Sequence, residues 1–194
     1  MDESLIALVL FAFVSTFTPG PNNMMLMASG ANVGFRRTIP HMLGVIFGFG
    51  LMIFLVGLGL AEVFTAFPRI HDVLRVICGL FLIYIAIKIA RSRPQVDQAS
   101  YKPMSFFAAV LFQWVNPKGW TMALSAVSLY NPTASLYGLV LVTLAFTLVN
   151  MPSASIWAYA GKKISRVLKQ DSHMRLFNWS MALLLVASTL PMLI

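Results

Sequence analysis

Charge is what this sequence has least of, and acidic charge least of all. Only 10% of its 194 residues are charged and six are acidic, whereas an average soluble domain is about 25% charged. That shortage excludes an ordinary soluble surface. Cysteine occurs once, so no intrachain disulfide can form, and Cys78, in the middle of an apolar run, reads as a small buried hydrophobe. Histidine occurs three times, as His41, His71 and His173, each near the end of an apolar run. With no Asp, Glu or His at the middle of any run, there is no nucleophile with its base and no metal cluster to find, so no enzyme, cofactor or metal is expected. Met24, Met25 and Met27 read as core filling rather than soft metal ligands, because no Cys or His lies near them.

What the sequence has instead is long apolar runs. Hydrophobic residues make up 59% of the chain, and about 20 in succession cross a bilayer. Six runs qualify: roughly 4–33, 39–61, 70–90, 105–129, 134–161 and 174–194. Asp2 and Glu3 stand where a signal peptide needs Lys or Arg, so the first run is expected to remain as a span. The net charge of +8 is not a nucleic-acid signature once its placement is followed. If six spans alternate, Arg36, Arg37, Lys88, Arg91, Arg93, Lys102, Lys162, Lys163, Arg166, Lys169 and Arg175 fall on one side, and only Arg69 and Arg75 on the other. The positive-inside rule puts the larger set in the cytoplasm and both termini outside.

Two proline-rich stretches interrupt these runs. Thr18-Pro19-Gly20-Pro21-Asn22-Asn23 breaks the first, because each proline lacks an amide hydrogen and clashes with the preceding helical turn. Asn22 and Asn23 would open the second half-helix, capping its amides where the positive dipole end attracts an anion. Asn116-Pro117-Lys118-Gly119 breaks the fourth run. At ~1.5 Å per residue, Pro19 lies about 22 Å and Pro117 about 18 Å into their runs. Broken backbone at that depth must face protein or a water-lined cavity. The polar segment 91–104 divides the chain near its midpoint. The expectation is one all-α integral membrane domain over 1–194, with six transmembrane helices arranged as two inverted three-helix repeats. Repeat 1 covers about 1–90, a cytoplasmic linker 91–104 and repeat 2 about 105–194, with helices 1 and 4 broken near mid-membrane.

Lys118 is the deepest charge. It stands about 12 residues from either end of its span, too far to snorkel, and costs at least ~2.5–3.5 kcal/mol to insert. Its partner is either a freed carbonyl at the breaks or the carboxylate of a substrate. In the first case it only ties broken helices together. A third irregularity, Asn150-Met151-Pro152-Ser153, predicts a kink in span 5, with Asn150 and the serines either satisfying the freed backbone or meeting a substrate. Trp120 is the tryptophan placed to line the cavity. Gly44 and Gly48 form a small-x3-small pair, expected to receive span 1 of the same subunit, with a homodimer contact as the alternative. Asn178-Trp179-Ser180 matches a glycosylation sequon at the start of a span and carries no expected role.

Thr18 to Asn23, followed by Gly34-Phe35-Arg36-Arg37, together with Asn116-Pro117-Lys118-Gly119, resembles the LysE/RhtB family of bacterial amino-acid exporters over essentially the whole chain. The last span departs from that family's glycine-containing pattern, with Ser180, Ala182 and Ala187 instead. Spans 2 and 4 look somewhat like the cysteine and O-acetylserine exporter branch. The resemblance implies a six-span protein of the bacterial inner membrane that exports amino acids or close derivatives, driven by the proton motive force, with lipid and a small-molecule substrate as its partners. It implies a substrate carboxylate between Lys118 and the half-helix end at Asn22 and Asn23, with carbonyls at the breaks meeting the ammonium. The candidate substrate-binding set is Thr18, Pro19, Gly20, Pro21, Asn22, Asn23, Asn116, Pro117, Lys118 and Asn150. The proton would be carried by Lys118, by water, or by neither if solutes are only exchanged. Two other readings stay open: an exporter of another small solute, and a structural or assembly subunit of the membrane, which a silent Lys118→Ala would favour.

Overall fold

The structure, a computed structural model, describes residues 3–60, 68–92, 101–168 and 170–193. Among them are eight α-helices and no strand: α1 (Glu3–Phe17), α2 (Pro21–Val33), α3 (Phe35–Leu55), α4 (Pro68–Ala90), α5 (Phe106–Phe112), α6 (Pro117–Tyr130), α7 (Leu136–Val167) and α8 (Asp171–Leu193). The loop carrying Glu62 and the middle of the polar segment lie outside the described residues, as do Asp2 and Lys169.

The first and fourth apolar runs are each divided. α1 and α2 bend by 54° across Thr18–Gly20, and α2 begins at Pro21, where a missing amide hydrogen costs nothing. α5 tightens into a 3-10 turn, Gln113–Val115, before extended Asn116 and the proline that starts α6. Between α2 and α3 there is a single residue. Gly34 ends one helix, donating its amide to Gly30 O at 3.1 Å, and precedes the next with φ of 80°, a backbone state that favours glycine. Serines start two later helices, Ser105 Oγ accepting from Ala108 N and Ser135 Oγ from Gly138 N. The proline of Asn150-Met151-Pro152-Ser153 lies inside α7, which runs through it as one helix.

Small residues bring the helices together. A Cβ on Gly30 would strike the carbonyl oxygen of Ala158, and one on Gly161 the carbonyl oxygen of Met27, so α2 and α7 touch backbone to backbone. Gly44 and Gly48 receive α5 rather than span 1, which corrects the expectation: a Cβ on Gly44 would meet Phe106 O and one on Gly48 would lie 2.7 Å from Val110 Cα. Glycine spacing shows that a close partner exists but not which helix it is. α4 packs on α8, and α1 on α7. Apolar cores fill the gaps, one around Met25, Leu82, Phe112 and Leu185 and another around Phe49, Met52 and Phe146.

Among the described residues two helices are long and apolar enough to cross a membrane, Phe35–Leu60 and Leu136–Val167, and the bent α1–α2 pair supplies a third span by the same measure. The outside of the bundle carries exposed Leu10, Val14, Phe107, Leu148 and Leu183, a surface suited to lipid rather than water. His41 stands near the start of α3. It is buried in α3, and neither ring nitrogen has a hydrogen-bond partner.

Candidate functional site

Ending α1 at Phe17 leaves carbonyls with no helical partner, and the fold satisfies them from three directions. Thr16 O accepts from Asn23 Nδ2 at 2.7 Å and from Ser153 Oγ of α7 at 2.8 Å. Thr18 O accepts from Asn23 Nδ2 at 2.9 Å and from Lys118 Nζ at 2.9 Å. Pro19 O accepts from Lys118 Nζ at 3.2 Å, and Thr18 Oγ1 accepts from the same ammonium at 2.8 Å while donating to Ser15 O. Lys118 therefore spends its donors on the first break. Of the partners the sequence leaves open, these oxygens are the ones it has in this structure.

Asn22 and Asn23 do not cap α2, which has no side-chain cap bond. Asn23 looks back at α1, as just described. Asn22 pairs with Gln113, donating Nδ2 to Oε1 at 2.9 Å and accepting Nε2 on Oδ1 at 3.2 Å, and Gln113 also donates to Ala109 O. This amide pair joins the two breaks across 91 residues of chain. Gln113 was not among the expected site residues. Its signal was present, since it is the one amide in the apolar run that precedes Asn116.

Gly20 is extended, with φ −177° and ψ 177°, a conformation open to any residue. It is small for another reason: a Cβ would sit 2.6 Å from Lys118 Cδ and 3.1 Å from Nζ. At the second break Asn116 precedes α6 without capping it, and its buried Oδ1 has no hydrogen-bond partner. An acceptor left in that state costs roughly 1–3 kcal/mol, so the site holds a polar atom the fold does not satisfy.

Gly20, Pro21, Asn22, Asn23, Asn116, Lys118 and Asn150 line one cavity together with Ser15, Thr16, Phe49, Gly119 and Met122. Thr18 and Pro19 reach it through the Lys118 ammonium, and Pro117 forms the first turn of α6. Trp120 is not in its wall; it stacks edge-on against Trp114, 5.8 Å between ring centres, and donates Nε1 to Trp114 O. The cavity volume is about 30 Å³, counted over positions that a water centre can take. A water needs roughly 10–15 Å³ on that measure, so the space suits about two waters and is too small for an amino acid.

The family model described as LysE type translocator matches residues 13–194. Proteins named cysteine/O-acetylserine efflux protein, from Escherichia coli strain K12, Shigella flexneri and Shigella sonnei, are each 29% identical over 185 residues, covering 94% of this chain and 93% of theirs. No solved structure matches it.

Proposed function

Since the chain belongs to the LysE-type translocator family, we propose that it is a secondary-active exporter of amino acids or close derivatives across the bacterial cytoplasmic membrane, coupled to protons. The observation that carries this reading is the meeting of two helix breaks around one polar cavity. Discontinuous helices at corresponding places in two halves are how secondary transporters build a mid-membrane site. Packing supports an inverted six-span repeat: α1 lies on α7 as α5 lies on α3, and the third helix of each half, α4 and α8, pair with one another. The charge asymmetry supports an orientation with both termini outside.

The cavity is smaller than the solute it is proposed to carry, so loading requires the two breaks to part. Parting them costs Lys118 its three oxygens, and a substrate carboxylate is the group that replaces them. The ammonium thus alternates between the backbone when the site is empty and the solute when it is full. Half-helix α2 aims its amino end at the same place, adding a dipole of the right sign for a carboxylate. Lys118 is also the only titratable side chain lining the cavity among the described residues, which makes it the candidate proton carrier. The names of the relatives point to cysteine and O-acetylserine as the solutes to try first.

Loaded vesicles containing the reconstituted protein test this, with a panel of labelled cysteine, O-acetylserine, threonine, homoserine and lysine. Efflux of at least one, accelerated by an imposed proton gradient, is expected. Efflux of none by protein verified in the membrane fraction overturns the proposal.

A further inference from the structure

A second buried polar cluster lies at the far end of α2, and the site just described makes no use of it. Asn32 and Asn178 exchange hydrogen bonds, Asn32 Nδ2 donating to Asn178 Oδ1 at 2.9 Å and Asn178 Nδ2 to Asn32 Oδ1 at 3.2 Å. Asn178 has no exposed surface, so the sequon it begins is out of reach of any modifying enzyme in this conformation. Ser92 joins the pair twice: its Oγ donates to Asn32 Oδ1 at 2.8 Å, and its carbonyl accepts from Asn178 Nδ2 at 3.1 Å. One turn back on α2, Ser29 shares hydrogen bonds with the buried Tyr101 hydroxyl and, at 2.8 Å, with Thr38 Oγ1. Burial holds the Tyr101 phenol far above its ordinary range, so the hydroxyl stays uncharged.

Position gives the cluster meaning. Ser92, which follows α4, and Tyr101, which precedes α5, are both fastened to α2. Asn32 is ten residues beyond Asn22, about 15 Å along the helix, which places the cluster between the cavity and the basic end of the bundle. The bonds from Asn32 and Ser29 to Asn178, Ser92 and Tyr101 cross one seam, with α2 on one side and α8, Ser92 and Tyr101 on the other. The other seam of α2, against α7, is backbone contact at Gly30 and Gly161. Close-packed backbone cannot slide without a clash. Amide and hydroxyl bonds can be exchanged for bonds to water with little net loss, so the polar seam is the one suited to opening.

We propose that Ser29, Asn32, Ser92, Tyr101 and Asn178 form a gate that closes the linker side of the bundle over the cavity and opens to admit solute. The proposal rests on the exporter reading for its direction, which makes this the cytoplasmic gate. Its bolt is the Asn32–Asn178 pair, with Ser92 and Tyr101 fastened to α2 beside it.

The test uses a Cys78→Ala background with Met122→Cys as a reporter in the cavity wall. A membrane-impermeant thiol reagent is added to reconstituted protein on the side carrying Lys102. Asn178→Leu and Asn32→Leu keep volume and remove the bolt, and each should raise the labelling rate at least about fivefold, the effect of roughly 1 kcal/mol on a two-state equilibrium. In a second arm without the reporter, cysteines at Asn32 and Asn178 are joined by a short cleavable bifunctional thiol reagent. Efflux of the amino-acid panel should stop and return on cleavage, and this arm stands if the leucine variants fail to insert. Unchanged labelling in both leucine variants, or export at the parent rate while cross-linked, overturns the gate. A parent that exports nothing sinks the exporter reading instead, and the labelling arm still decides whether this seam opens.

Discussion

Lys118 sits where two electrostatic preferences conflict. As the second residue of α6 it lies at the positive end of that helix dipole, an arrangement unfavourable by about 0.3–1 kcal/mol. Against this stand three hydrogen bonds from a charged donor, each worth about 1.5–3 kcal/mol when buried. The bonds win even after a discount for partial exposure. Lys118→Ala should abolish efflux while the protein still inserts, because the insertion penalty leaves with the charge. Lys118→Arg should do almost as badly, since a planar guanidinium cannot reproduce a compact ammonium on three converging oxygens. Vesicle efflux normalised to membrane protein checks both, and unchanged efflux by the alanine variant would reduce Lys118 to a structural tie. Gly20→Ala separates position from charge. Its backbone is unstrained, and the new methyl meets only the flexible end of the Lys118 side chain. Normal thermal stability with efflux lowered several-fold is expected; unchanged efflux would mean the ammonium tolerates displacement.

Among the elements, the broken helices were the most legible feature of the chain. Proline removes a donor and blocks the preceding turn wherever it occurs inside an apolar run, so Pro19, Pro21 and Pro117 announced their breaks without tertiary information. Pro152 is carried within a continuous helix, α7. What each freed carbonyl would bind was not legible. Ser153 reaches Thr16 across 137 residues and Gln113 reaches Asn22 across 91, and no local pattern encodes such pairings. The Asn22–Gln113 pair can be tested as a unit. Removing one amide strands its partner in a buried setting, so Asn22→Leu or Gln113→Leu should each cost roughly 1–3 kcal/mol of stability. The double variant should cost less than the sum of the two, because nothing is then left unpaired. A thermal-shift cycle in detergent reads this, and strict additivity would show that the two amides do not depend on one another.

For the molecule as a whole, charge placement predicts topology. Cysteines added at residues 2 and 194 should react with an impermeant thiol reagent in intact cells, while cysteines within 93–100 should react only after permeabilisation. The reverse pattern would invert the protein and put the proposed gate on the outside. The backbone contact between α2 and α7 has a mechanical consequence here. Bound at Gly30 and Gly161, α2 cannot tilt on its own and must swing with its neighbour as one arm. The arm is about 20 Å long, so each degree of tilt moves its far end by about 0.35 Å relative to the other. Asn22 and Asn23 ride on one end and Asn32 on the other. A displacement that widens the space beside Lys118 is thereby delivered, magnified or reversed according to where the fulcrum lies, to the hydrogen bonds that hold Asn178.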